Sequence, residues 1–313
     1  MAASFIIAAL AASGCAAVVD RRADARETAA EARFPPEGRL IAVPGGNVHA
    51  VTRGAGRDLV LIHGASGNTR DFTLRLVDLL ETDFRVTVFD RPGLGWSDDL
   101  GTPGISPLVQ ADALRAAAET LGLHRPIVLG HSYGGAVAMA WALRDPETAG
   151  LVIVSGATMP WPGGLGPWYA ISASRLGGAT VVPLISAFAS EAQAEAAVAS
   201  VFAPQIPPPG YAEGIGIGLT LRRDSIRVNS RQVSGLKPHL ERMLPNYPRL
   251  TLPVELVHGD ADTVVPVRVH AEPLSRLLPD ATLTVLPGVG HMPHHTNPEV
   301  VVAAIRRAAA RSR

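Results

Sequence analysis

The chain reads as an α/β fold, a mostly parallel eight-stranded sheet flanked by helices, interrupted after the sixth strand by a long segment that breaks the alternation. Three observations predict it. Short apolar runs of strand length alternate with stretches of helical spacing. One such run, Pro126-Ile127-Val128-Leu129, leads into Gly130-His131-Ser132-Tyr133-Gly134 and then into a small, apolar helix-like stretch from Gly135 to Leu143. Between about 158 and 240 the alternation lapses and resumes only near Val254.

Taken in order, Arg39–Val43 and Val48–Thr52 flank Pro44-Gly45-Gly46-Asn47 and read as an antiparallel hairpin. Asp58–Ile62 is continuously apolar after its first residue, as expected of a strand covered on both faces. Phe72 to Leu80 has helical spacing, and Arg85–Phe89 is the next strand. Ser106 to Leu121 reads as a helix with Ser106 as cap and Gly122 as stop. The strand before Ser132 follows, then Gly150–Val154, Val254–Gly259 and Ala281–Leu286. Ligands of such sheets bind beyond the carboxyl ends of the strands. Ser132, Asp262 and His291 each closely follow a predicted strand and should share that edge.

Gly130-His131-Ser132-Tyr133-Gly134 has the form of a nucleophile elbow, a turn so tight that the residues two before and two after the serine must lack a Cβ. With Leu61-Ile62-His63-Gly64, the run Phe89 to Ser97, His258-Gly259-Asp260-Ala261-Asp262 and Gly290-His291, the chain resembles the α/β-hydrolase fold family from about residue 39 to 310. That resemblance implies a core of residues 39–157 and 241–313 with a helical cap at 158–240. It implies a nucleophile, Ser132, followed in chain order by an acid and a histidine.

A serine hydroxyl needs a base within hydrogen-bond reach. His270, His291, His294 and His295 follow the acid loop, and His291, directly after a strand and a glycine-rich turn, is the expected base. Of the two carboxylates after Gly259, the resemblance implies Asp262 as the acid, with Asp260 as a turn residue; the family's alternative acid position holds Ser155. The oxyanion hole is expected from the backbone N–H groups of Tyr133 and Ala65. Asp90, Arg91 and Ser97 match a motif of loop architecture. The cap segment carries Trp161, Trp168, Tyr169, Phe188, Phe202 and Tyr211, expected as pocket wall or cap packing; Trp161 and Met292 are the candidate substrate contacts. The neighbouring His291, His294 and His295 invite a metal reading, yet nothing beside them in sequence completes a coordination sphere, and no metal or organic cofactor is expected.

The 313 residues carry 28 basic and 28 acidic side chains, so nothing in the charge points to nucleic acid. A single cysteine excludes an intrachain disulfide. Phe5 to Gly14 is a short apolar run that ends in small residues before Cys15, similar to the signal peptide and lipobox of a bacterial lipoprotein. The expectation is an exported protein held on a membrane through Cys15, with residues 16–38 as a tether; an uncleaved anchor and a cytoplasmic protein are the alternatives.

The expected activity is hydrolysis of a small or medium apolar carboxylic ester through an acyl-enzyme on Ser132. Carbon–carbon bond hydrolysis and cofactor-free haloperoxidase or perhydrolase chemistry use the same triad and stay open. A serine nucleophile argues against the dehalogenase and epoxide-hydrolase branches. A non-catalytic binding protein on this fold is the rival from another class.

Overall fold

In the computed structural model the backbone is described for residues 2–312 and side chains for 14–312. The strands are β1 (Arg39–Val43), β2 (Gly46–Arg53), β3 (Arg57–Ile62), β4 (Phe84–Phe89), β5 (Ile127–His131), β6 (Gly150–Val154), β7 (Val254–Gly259) and β8 (Ala281–Leu286). They form one sheet in the order β1-β2-β4-β3-β5-β6-β7-β8. β1 and β2 pair antiparallel, β2 pairs antiparallel with β4, and every other pairing is parallel. The central strands β5 and β6 are buried along their whole length, which is why their sequences are apolar without alternation.

The helices are α1 (Ala2–Arg33), α2 (Arg70–Thr73), α3 (Pro107–Thr120), α4 (Tyr133–Arg144), α5 (Pro167–Ala173), α6 (Arg175–Phe188), α7 (Glu191–Phe202), α8 (Tyr211–Gly214), α9 (Ile217–Thr220), α10 (Arg223–Met243), α11 (Ala271–Leu277), α12 (Pro293–Thr296) and α13 (Pro298–Arg311). One face of the sheet packs on α3 and α4, where Leu114, Val137 and Trp141 meet Val60, Val128 and Ile153. The other face packs on α13, where Val301 and Ile305 meet Leu61, Leu129 and Val257.

Three local expectations are corrected. The helix expected over 72–80 is a single turn, α2, followed by a 3₁₀ turn at Val77–Leu79, because Arg75, Leu79 and Leu80 donate to carbonyls three residues back. Phe72, Leu76 and Leu80 are nevertheless buried as their spacing implied. The cap helices do not stop at 240, since α10 runs on to Met243 and plants Val233, Leu236 and Leu240 in the main core.

The third correction concerns residues 16–38. Residues 16–33 are not a tether but belong to α1, which lies against α6 and α9. Arg22 Nε donates to the Ala187 carbonyl at 2.8 Å, and Arg26 donates to Ala187 and Ala189, satisfying carbonyls that the end of α6 leaves unpaired. Arg223 closes the contact by pairing with Asp20, Asp24 and Glu27. The helix ends at Arg33, just before Pro35-Pro36. The signal-peptide and lipobox reading falls, apart from Gly14 and Cys15, outside the residues whose side chains are described; Cys15 is exposed.

Candidate active site

Ser132 sits between β5 and α4 with φ 53° and ψ −120°, a conformation strained for a residue with a side chain. The turn is held by main-chain bonds to the end of β6: Ser132 N donates to Val154 and Ala157 N donates back to Ser132. The glycines flanking the serine are required by space. A Cβ on Gly130 would lie 2.2 Å from the Gly134 oxygen, and one on Gly134 would lie 2.2 Å from the Ile62 oxygen.

Asp262 and His291, from the loops after β7 and β8, meet at this edge. His291 Nδ1 lies 2.7 Å from Asp262 Oδ2. The other oxygen, Oδ1, accepts from the amides of Val264 and Val265 at 2.9 and 2.8 Å. Burial alone would raise the Asp262 pKa, but hydrogen bonds from His258 and His291 outweigh it and hold the carboxyl well below the usual range. Asp262 is therefore ionised at neutral pH. Asp260 points elsewhere, accepting from the amide of Gly288 at 2.6 Å. His270, at the start of α11, accepts from the Met159 amide through Nδ1.

The Ser132 hydroxyl and His291 Nε2 make no hydrogen bond with each other or with another described residue. Contacts between nucleophile and base are often long without substrate and tighten when it is held. Gly64 lies against the serine, since a Cβ there would be 3.0 Å from Ser132 Cβ. Among the described residues the amides of Ala65 and Tyr133 have no hydrogen-bond acceptor, the condition an oxyanion hole requires.

The loop carrying Ala65 is braced from beneath. Arg91, fully buried, donates to the carbonyls of His63 and Gly64 and to the side chains of Gln110 and Gln232. Its guanidinium lies 4.2 Å from the centre of the Tyr133 ring. Burial lowers the Arg91 pKa to about 10, still far above neutrality. Asp90 ties the neighbouring turn, accepting from Thr69, Trp96 and His49, and Ser97 donates to its carbonyl. His63, pushed down to about 4 by burial and then by Arg91, accepts from the Arg91 amide through Nε2.

Behind the site lies a buried polar cluster that the sequence reading missed. Asp71 Oδ1 accepts from Tyr211 at 2.7 Å and from His295 Nε2 at 2.9 Å, and Oδ2 accepts from His294 Nε2 at 3.2 Å. His131 Nδ1 faces the same carboxylate at 3.9 Å without a hydrogen bond. Burial would raise the Asp71 pKa, yet His294 and His295 hold it well below the usual range. The three histidines 291, 294 and 295 do not converge as one ligand set, because the first faces Asp262 and the other two face Asp71. Asp71, His131 and His294 do bring ligand-type atoms within 4.8 Å of one another, but two of these atoms already bond each other.

The two candidate substrate contacts differ. Trp161 is half-buried, packed on the main core with its ring 6.3 Å from that of His270. Met292 is buried with Phe202, Tyr211 and Ile215 in a satellite core. Trp168 and Phe188, expected in the pocket wall or the cap packing, are exposed instead. A cavity of about 930 Å³ lined by Arg144, Thr148, Pro253 and Arg311 opens at the opposite end of the strands, away from Ser132.

Fold and site together have the architecture of an α/β-hydrolase fold. The chain belongs to the Alpha/beta hydrolase family, whose sequence profile matches residues 59–304. Among its relatives, a proline iminopeptidase of Saccharolobus solfataricus is 35% identical over 109 residues, 33% of this chain and 34% of that protein. A 2-hydroxy-6-oxononadienedioate/2-hydroxy-6-oxononatrienedioate hydrolase of Paraburkholderia phymatum is 37% identical over 116 residues, 36% of this chain and 40% of that protein. The match thus spans less than half the length of either relative. A crystal structure of an alpha/beta hydrolase fold protein from Burkholderia ambifaria superposes with a TM-score of 0.72 at 24% identity, covering 85% of this chain and 96% of that one.

Proposed function

We propose that the protein is a serine hydrolase that cleaves carboxylic esters of small or medium apolar substrates. The observation that carries this reading is the 2.7 Å contact between His291 Nδ1 and an Asp262 carboxylate already bonded to two backbone amides, on the sheet edge that also presents Ser132. Ser132 Oγ attacks the acyl carbon while its proton passes to His291 Nε2. The N–H groups of Ala65 and Tyr133 receive the oxyanion. The tetrahedral adduct collapses, the alcohol leaves with the proton from His291, and an acyl-enzyme remains. Water gives a proton to His291 and attacks the acyl carbon, and the acid and free Ser132 result. Asp262 keeps the imidazole in one tautomer and stabilises the imidazolium without taking its proton.

A second reading, hydrolysis of a carbon–carbon bond next to a carbonyl, is favoured by the likeness to the Paraburkholderia phymatum hydrolase. It uses the same residues. Two measurements separate the readings. A fluorophosphonate should label the full chain at Ser132 and not the Ser132→Ala variant; no labelling would remove both readings and favour a binding protein. Turnover of butanoate and hexanoate esters with no cleavage of vinylogous diketones supports the esterase, and the opposite pattern the carbon–carbon hydrolase.

For the amino terminus we propose attachment to a membrane through an acylated Cys15. The apolar run ending in small residues before the cysteine and the exposure of its thiol support this. Mass spectrometry of the membrane-extracted protein tests it, since an intact Met1 or an unmodified Cys15 would rule it out.

A further inference from the structure

We infer that the outer face of α5 and α6 is a membrane-docking surface, with lipid acyl chains as its partner. Leu165, Trp168, Ile171, Leu176, Leu184 and Phe188 are each at least 40% exposed, and Leu176 reaches 76%. On α6, positions 176, 184 and 188 are separated by multiples of four, so they lie on one face of the helix. Residues 157–190 contain one charged side chain, Arg175, in a chain that is 18% charged. An exposed face with so little charge is unusual for a surface that meets only water.

The connection to α1 argues for lipid. Arg22 and Arg26 fasten α1 to the end of α6, and the Arg22 guanidinium lies 5.0 Å from the centre of the Phe188 ring. Cys15 is seven residues upstream of Arg22 in the same helix, roughly 10 Å along its axis. Residues 5–12 are wholly apolar apart from the backbone. Attachment at Cys15, or at the apolar run before it, therefore brings the α6 face to the same membrane. Among the described residues no single helix is long and apolar enough to cross a membrane, and α5 and α6 are bent by 104° relative to each other. A bent, one-sided apolar pair with a tryptophan suits an interfacial position, its apolar side chains in the acyl boundary.

The inference leans on the proposed amino-terminal attachment for proximity, and its readout is separate. The full chain is reconstituted with vesicles of phosphatidylcholine and phosphatidylglycerol carrying brominated acyl chains. The Trp168 emission is taken as the difference between wild type and Trp168→Phe. Bromine should quench that component about twofold or more, while aqueous iodide leaves it nearly unchanged. A combined Leu176→Ser, Leu184→Ser variant should lose most of the quenching and still hydrolyse a water-soluble ester. Trp168 emission reached by iodide and not by bromine would overturn the inference. So would emission shielded from both, which would indicate a second copy of the chain on this face. An unmodified Cys15 with strong bromine quenching would end the acylation proposal and leave the docking face standing.

Discussion

The Nε2–H of His131 donates to the backbone carbonyl of His291 at 3.0 Å, joining the residue before the candidate nucleophile to the candidate base 160 positions away. The two rings lie 4.9 Å apart, and His131 in turn lies against His294 at 4.3 Å. The histidine loop is thus registered on the elbow itself, and the Asp71 cluster supports it from behind.

On the proposed mechanism, His131 acts as a positioning residue. His131→Ala should lower kcat by roughly 10- to 100-fold, because a small displacement of a catalytic group costs about that much. KM for a soluble ester should change little, and the rate of fluorophosphonate labelling should fall in parallel with kcat. Loss confined to KM would contradict this role.

Ser132→Ala and His291→Ala should each reduce turnover by about 10⁴-fold or more, with little added loss in the double variant, since triad members act as a unit. Asp262→Asn should be severe through the imidazole tautomer, whereas Asp260→Asn should alter only the turn at Gly288. Steady-state kinetics of the four variants decides the acid, and a crippling Asp260→Asn beside a mild Asp262→Asn would reverse the assignment.

Gly134→Ala should fail structurally before it fails chemically. Its Cβ would meet the main-chain oxygen of Ile62 at 2.2 Å and that of His63 at 2.7 Å, and these backbone atoms cannot yield as a flexible side chain could. Thermal denaturation should show a loss on the order of 3 kcal/mol or more, or no folded protein at all. A stable, active variant would mean that the elbow is looser than described.

Stability should fall on mild acidification. Burial pushes His63, His270 and His294 down to about 4, with Arg91 adding to it at His63 and His258 at His270. Unfolded imidazoles titrate near about 6.5, so between that value and 4 the unfolded chain binds more protons. Their contribution is complete above about 6.5 and is lost as pH falls toward 4. Asp71 and Asp262, held below the usual carboxylate range, act at lower pH: their contribution is present above about 4 and is lost below it. Urea midpoints should hold from pH 7.5 to about 6.5 and decline from there to pH 4, and a midpoint flat from pH 7 to 5 would refute this account.

The central strands were legible in the sequence because they are covered on both faces and their runs are mostly apolar, and the half-exposed edge strand β8 was legible through its alternation. Gly150–Val154, Val254–Gly259 and Ala281–Leu286 agree with the expected bounds to the residue. The elbow was legible because its turn excludes a Cβ at two positions, a steric demand written directly in residue type. The local helix over 72–80 was misread because burial spacing is the same for an α-helix and for a looser succession of turns.

The sequence by itself determined the fold class, the residues at the strand ends and the order in which serine, acid and histidine appear, since each depends on local periodicity, turn geometry or chain order. Only the tertiary structure decided which carboxylate faces His291, why Asp71 is a partner of His294 and His295, that residues 16–33 dock on α6, and that the apolar side chains at 168 and 188 point outward. These are relations between segments up to 224 residues apart. They depend on which face each element buries, and composition does not carry that information: a leucine turned to the core and one turned to the surface are the same letter.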